Sequence, residues 1–253
     1  VDLHPPGADL VSDRLRAERT WEPFESRVWL AAQRPGDVVL DVGANLGYFS
    51  LLSACYEQEP EQVFAFEPAA DNFELLLRNL QHNDCVGRVH AVRAALGDSH
   101  GELNLYRNEE NRGDHQIYPG DGQRLTESVP ILRGADYLRT HIERVDLLKV
   151  DTQGSELAVL AGLWPLLTDS RDTLRILLEL TPYSLGLAGA SGRELVEGLA
   201  ELDLPMAIVD HLDHRLVASD GEALATWCDN VAAVPDDRGF MNIFVGEPPD
   251  LLP

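Results

Sequence analysis

Read for the alternation of apolar and polar positions, the chain falls into short apolar runs separated by glycine and proline turns and by stretches with helical spacing. Leu10 to Arg19 and the region around Val28 to Ala32 have helical patterns, and Arg34-Pro35-Gly36-Asp37 breaks the chain after them. Val38-Val39-Leu40-Asp41-Val42 then reads as a buried strand, Gly43-Ala44-Asn45-Leu46-Gly47 as a tight turn and Tyr48 to Tyr56 as an apolar-faced helix. Gln62 to Phe66 predicts a second buried strand ending on Glu67-Pro68, and Asp71 opens a helix with Phe73, Leu75, Leu76, Leu77 and Leu80 inside. A third strand over Val89 to Val92 leads into a turn through Ala94 to Asp98. Glu102 to Tyr106 alternates like an edge strand or hairpin, Val129 to Leu132 suits another short strand, and Ala135 to Ile142 is weakly helical. Val145 to Asp151 predicts a buried strand, with a glycine turn at Gly154 and a helix from Leu157 to about Leu167. Arg175 to Leu180 is the next strand, Thr181 to Ser184 the loop above it, and Gly192 to Leu202 an outer helix. Met206 to Asp210 and Gly239 to Val245 are expected as a final antiparallel pair, with Leu216 to Cys228 partly helical between them.

Strands alternating with helices predict an open α/β sheet. No repeat or linker splits the chain, so one domain is expected. Its segments are an N-terminal helical part (1–35), a ligand-binding core (36–185) and the C-terminal part of the sheet (186–253).

In such a sheet the turn after the first strand is where a nucleotide-like ligand sits. Gly43 and Gly47 let the backbone turn sharply and a ligand approach closely, and the helix that follows offers unpaired N–H groups. The spacing is Asp-x-Gly-x-Asn-x-Gly, not the Gly-x-Gly-x-x-Gly of dinucleotide sites. Asn45 replaces the middle glycine, and Asp41 sits at the strand end. An acid there repels a pyrophosphate but accepts from an ammonium or hydroxyl, which favours a zwitterion such as S-adenosylmethionine over NAD. Glu67, at the next strand end, is spaced to accept from two ribose hydroxyls. The same patterns also fit plain strand–turn–helix units with solvated acids.

Composition narrows the partners. The chain has 253 residues, 44% of them apolar, and a formal net charge of -23. That charge excludes nucleic acid and anionic membrane surfaces as favoured partners. No apolar run nears the ~20 residues that span a bilayer, and the first residues lack the basic-then-apolar pattern of a signal peptide. Three scattered cysteines, Cys55, Cys85 and Cys228, point to a reducing cytoplasm. Lys149 is the sole lysine, and it lies within an apolar strand, where a buried ammonium needs a partner. Asp151 or Glu156 could supply one.

At these residues the chain resembles the FkbM family of S-adenosylmethionine-dependent methyltransferases. The likeness runs from Trp21-Glu22-Pro23 through Asp41 to Gly47, Phe66-Glu67-Pro68, Ala95-Leu96-Gly97-Asp98, and Asp146 to Asp151 with Gly154-Ser155-Glu156, covering roughly residues 20 to 185. It implies a Rossmann-like class I methyltransferase fold. That fold has a central, mostly parallel seven-stranded sheet, helices on both faces and an N-terminal helical cap. It also implies cofactor contacts at Glu22, Asp41, Gly43, Asn45, Glu67 and Asp98, with Gly47, Pro68 and Asp151 beside them, and methylation of hydroxyls on natural products, sugars or lipids. Two departures stand out: Gln153 occupies a position commonly Glu, and Gly113-Asp114-His115 stands where small hydroxyl residues are frequent.

Methyl transfer to an alcohol needs positioning, equivalent to ~10⁵–10⁸ M effective molarity, and a modest base adding roughly 10²–10⁴-fold. His115, in a polar loop, is the first candidate base and Asp151 the second. Tyr118, Glu179 and Tyr183 are candidate contacts to a small hydroxylated acceptor. Asp151 with Glu179 could bind a divalent cation, though two acids on neighbouring strands do not favour one. The alternatives are an NAD-dependent oxidoreductase and a catalytically silent cofactor-binding module in a biosynthetic complex. A homo-oligomer stays open.

Overall fold

The computed structural model describes residues 1–55, 59–108, 111–119 and 124–251. Two helices, α1 (Leu10–Glu18) and α2 (Pro23–Ala32), precede strand β1 (Val38–Val42). Helix α3 (Tyr48–Cys55), β2 (Gln62–Phe66), α4 (Ala70–His82) and β3 (Val89–Val92) follow. Three strands come next: β4 (Ala95–Gly97), β5 (Gly101–Arg107) and β6 (Leu125–Arg133). The chain continues through α5 (Gly134–Leu138), β7 (Leu147–Val150), α6 (Glu156–Asp169), β8 (Arg175–Leu180), α7 (Pro182–Leu187) and α8 (Gly192–Ala200). It closes with β9 (Met206–Asp210), β10 (Arg215–Ser219), α9 (Gly221–Ala232) and β11 (Met241–Val245).

The main sheet has eight strands in the order β10-β9-β11-β8-β7-β1-β2-β3. The five from β8 to β3 are parallel, and β11, β9 and β10 are joined to them by antiparallel pairing. Because side chains alternate across a strand, each face of β1 buries a different set. Val38, Leu40 and Val42 pack with Leu163 of α6, Leu195 of α8 and Leu224 of α9. Val39 packs on the opposite face with Trp29 of α2, Phe49 of α3 and Leu76 of α4. Trp29 is fully buried and its indole N–H donates to Ser53 Oγ at 2.8 Å, so its polar atom is satisfied.

The α/β class and the alternation of elements agree with the expectation, and three local readings do not. The main sheet has eight strands rather than seven, because Arg215–Ser219 pairs with β9 as a hairpin. Asp220 then caps α9 by accepting from Ala223 N–H, so that Leu216 to Cys228, expected to be partly helical, divides into a strand and a helix. Ala95–Gly97 is a strand rather than a turn, pairing in parallel with β6 in a second, three-stranded sheet. Its neighbour α6 lies so close that a Cβ on Gly162 would sit 1.8 Å from the Gly97 carbonyl oxygen. Pro182 starts a short helix where a loop is expected, its fixed φ suiting a first helical turn. Tyr56, at the expected end of the first core helix, lies outside the described residues. So do Gly120, at the end of the polar loop, and the chain's last two positions.

Candidate active site

The strand order reverses direction between β1 and β7, the switch point at which open sheets bind ligands. A cavity of about 640 Å³ opens there, lined from the tips of β1, β2, β7 and β8. Gly43 makes the turn possible. Its φ is +84°, and a Cβ would lie 1.8 Å from the carbonyl oxygen of Asp151, so the β1 turn meets the end of β7 backbone to backbone. The N–H groups of Gly43 and Ala44 both donate to the Phe66 carbonyl at 3.0 Å, tying the turn to β2.

Four acids and one ammonium define the electrostatics. Asp41 is buried, with Oδ2 accepting from Ser50 Oγ at 2.7 Å and Oδ1 buried without a hydrogen-bond partner. Burial raises its pKa against the pull of Lys149. Glu67 is pinned by two backbone donors, Asn45 N–H at 2.8 Å and Ala69 N–H at 2.9 Å, and burial still pushes it up to about 7. Glu22 starts α2 with φ +43° and is pushed up to about 8, by burial first, against Lys149. Asp151 accepts from Lys149 Nζ at 2.9 Å and from Gln153 Nε2 at 3.1 Å. Burial alone would lower the lysine, but Asp151, Asp41 and Glu22 outweigh it and hold the ammonium charged. Lys149 Nζ also lies 4.7 Å from the centre of the Phe49 ring.

Of the two expected partners for Lys149, the structure selects Asp151. Glu156 is fully buried and accepts instead from Thr152 and Gly154, closing the turn before α6. Glu22, Asn45 and Gln153 are non-glycine residues in the left-handed region, and all three line the cavity. Backbone strain of this kind costs of order 1–3 kcal/mol per residue and gathers at functional sites.

A roof covers the cavity. Arg107, Arg112 and His115 converge on Asp71 of α4, with Arg107 at 2.7 Å and His115 Nε2 at 3.9 Å. Although burial opposes them, these partners hold the Asp71 carboxyl below the usual range. Arg112 N–H donates to the Ala8 carbonyl and Leu10 N–H to Asn111 Oδ1, so the N-terminal segment and the loop of residues 111–118 cross the cavity together.

The cavity brings together Glu22, Asp41, Gly43, Asn45, Glu67, Pro68, His115, Tyr118, Asp151, Glu179 and Tyr183. Two of the expected contacts fall elsewhere. Gly47 packs α3 on α4, where its missing Cβ would sit 3.2 Å from Leu76 Cγ. Asp98 is exposed on the turn after β4, accepting from Ser99 Oγ, because β4 turns towards α6 and presents Ala95 and Leu96 to the cavity instead. His115 lines the cavity, but its geometry does not suit a base: Nδ1 accepts from Asn108 N–H at 3.0 Å, which puts the neutral ring's proton on Nε2, towards Asp71. Both oxygens of Asp151 are likewise engaged. Tyr118 is buried with its hydroxyl near Ser184 but without hydrogen-bond geometry, and burial raises its phenol.

Thr181, whose buried Oγ1 lacks a partner, and Arg238, 5.2 Å from the centre of the Tyr183 ring, also line the cavity and carry no signal in the sequence pattern. Gln153 donates from one amide nitrogen to both Asp151 and Glu179, the latter at 2.8 Å. Its only trace in the sequence is the departure from Glu. Among the described residues, no group of three or more His, Cys, Asp or Glu is placed to hold a metal ion. No described helix is long and apolar enough to cross a membrane.

The sequence model of the methyltransferase FkbM domain matches residues 41–195. Methyltransferase sdnD of Sordaria araneosa is 33% identical over 173 residues, 56% of this chain and 66% of that protein. Methyltransferase 1 of Beauveria bassiana is 31% identical over 165 residues, 56% of this chain and 65% of that protein. The 31-O-demethyl-FK506 methyltransferase FkbM of Streptomyces tacrolimicus is 32% identical over 181 residues, 57% and 68% of the two chains. The chain thus spans about two thirds of the length of these relatives. A crystal structure of methyltransferase FkbM from Methylobacillus flagellatus superposes with a TM-score of 0.51 at 13% identity, covering 94% of this chain and 60% of that one; it shows the shared fold.

Proposed function

This chain belongs to the FkbM methyltransferase family, and from that premise we propose that it transfers the methyl group of S-adenosylmethionine to a hydroxyl of a small molecule, a natural product or sugar intermediate. The observation that carries the cofactor assignment is the pair of acids at adjacent strand tips. Asp41 presents a buried oxygen with no partner, and Glu67 presents a carboxylate immobilised by two backbone donors. These residues fit a zwitterionic nucleoside: Asp41 would accept from its ammonium and Glu67 from its ribose hydroxyls, while Gly43 leaves room where a Cβ would collide. Ala94, Ala95 and Leu96 would flank the base. Bound there, S-adenosylmethionine would supply an electrophilic methyl group on a sulfonium.

The residues of this chain supply position and charge. Lys149 pairs with Asp151 at the end of β7, and the roof latched on Asp71 lies over the cavity. The half of the cavity beyond β7, with Thr181, Tyr183 and Ser184, would take the acceptor. An oxygen acceptor is supported by the relative named for 31-O-demethyl-FK506. Titration calorimetry with S-adenosylhomocysteine tests the reading. Binding is expected for the native protein, with a sharp loss for Asp41→Ala and Glu67→Ala. Protection from thermal unfolding by NADH, with none by S-adenosylhomocysteine, would replace the methyltransferase reading with a dehydrogenase one.

A further inference from the structure

The two sequence-based candidates for the base are each committed elsewhere. His115 spends its lone pair on Asn108 N–H, and Asp151 has Lys149 on one oxygen and Gln153 on the other. Tyr118 is a phenol raised by burial and so remains a donor. Asp41 and Glu67 stand at the β1 and β2 tips, on the far side of β7 from the acceptor half. Asp114 is paired with Arg124, and Glu22, at the start of α2, is an expected cofactor contact; Glu179, at the tip of β8, is the cavity carboxylate that remains for the acceptor half.

We propose that Glu179 takes the proton from the acceptor hydroxyl and that Gln153 is the positioning residue that holds it beside Asp151 for that role. The proposal rests on the methyl-transfer reading above. As the acceptor oxygen bonds to the methyl carbon, its O–H bond breaks and the proton passes to the Glu179 carboxylate. The methyl–sulfur bond breaks with its electron pair staying on sulfur, so charge and atoms balance.

Gln153 carries the geometry. It adopts φ +54°, a strained backbone for this residue, and from there its single amide nitrogen reaches Asp151 Oδ1 and Glu179 Oε2. A neutral donor between two carboxylates lets them stand together without a second cation. Glutamate at this position would add a further carboxylate beside Asp151 and Glu179, in a cluster that has one lysine.

The surroundings poise the group. Burial raises Glu179 well above the ordinary carboxylate range, followed by the charges of Asp151, Glu22 and Glu156, while Lys149 opposes them. A carboxylate raised in this way is a stronger base than an ordinary one, and it becomes available as pH rises through its elevated value.

The test reads Glu179 directly. In protein labelled with ¹³C at the glutamate carboxyls, the resonance lost in Glu179→Gln identifies the group, and its chemical shift is followed against pH with S-adenosylhomocysteine bound. The midpoint is expected clearly above the ordinary 4.5. It should rise further in Gln153→Glu, by about 1 in pH, and fall in Asp151→Asn as the neighbouring like charge is removed. A midpoint near 4.5, or one that ignores both substitutions, overturns the proposal. In turnover, followed as S-adenosylhomocysteine released with hydroxylated acceptors, Glu179→Gln should lower kcat by roughly 10²–10⁴-fold and abolish the acidic limb of the pH profile. Retained kcat would also overturn it. Failure of the native protein to bind S-adenosylhomocysteine defeats the methyl-transfer reading; normal binding with an ordinary Glu179 defeats this proposal alone.

Discussion

Replacing Glu67 by Gln separates the hydrogen bonds of this residue from its charge. Both carboxylate oxygens accept backbone N–H groups, from Asn45 and Ala69, and the side chain is 5% exposed. An amide can accept at only one of those sites, so Glu67→Gln leaves a buried N–H facing an NH₂, at a cost of about 1–3 kcal/mol that does not change with pH. The native protein carries a pH-dependent term that the variant lacks. Burial raises Glu67 from 4.5 to about 7, so the folded state holds the proton more tightly than the unfolded chain. Its contribution is therefore complete below 4.5 and is lost as pH rises to about 7. At 1.36 kcal/mol per pH, the full span amounts to about 3 kcal/mol. Roughly 1 kcal/mol has gone by pH 5.5, leaving about 2 kcal/mol to be lost between pH 5.5 and 8. Urea unfolding at those two pH values is the assay. Between pH 5.5 and pH 8 the native protein should lose about 2 kcal/mol relative to the variant. The other buried acids titrate in both proteins and cancel in the comparison. An equal fall in stability for the two proteins would refute the reasoning.

Further outcomes follow from the same geometry. Lys149→Met leaves Asp41 and Asp151 without their cation and should cost about 3–5 kcal/mol at pH 8, with partial recovery at pH 5.5 as Asp41 and Glu22, both raised by burial, take up protons; the same loss at both pH values in urea titrations would contradict the charge assignment. Gly43→Ala and Gly162→Ala each drive a Cβ to 1.8 Å from a backbone carbonyl oxygen. Both should lower Tm, but only Gly43→Ala should also abolish S-adenosylhomocysteine binding, because Gly162 lies under the second sheet. Asp71→Asn removes the charge that gathers Arg107, Arg112 and His115, so S-adenosylhomocysteine should dissociate several-fold faster in stopped flow. Since Asp71 is held below the usual carboxylate range, the ratio of variant to native off-rates should be the same at pH 6 and pH 8.

Legibility in the sequence followed how local each interaction is. The β1 turn, the acids at the ends of β1 and β2, and the helix spacings of α4 and α6 depend on neighbours within a few residues, and all stand where the pattern puts them. The extra strand β10 escaped because the few apolar residues of Arg215–Ser219 fit a strand or a helix turn equally, and only pairing with β9 tells them apart. Asp98 stands outside the cavity lining because the likeness supplies a position along the chain, whereas the path of β4 is packed against α6.

By itself, the order of residues determined the α/β class, the glycine turn that needs positive φ and the acids available at the strand ends. Those follow from backbone stereochemistry and from the periodicity of apolar side chains. Only the tertiary structure decided which acid holds Lys149, that His115 is turned towards Asp71, and that Gln153 spans Asp151 and Glu179. Each of these depends on how side chains are aimed in the folded chain, where a difference of about one ångström separates a hydrogen bond from none.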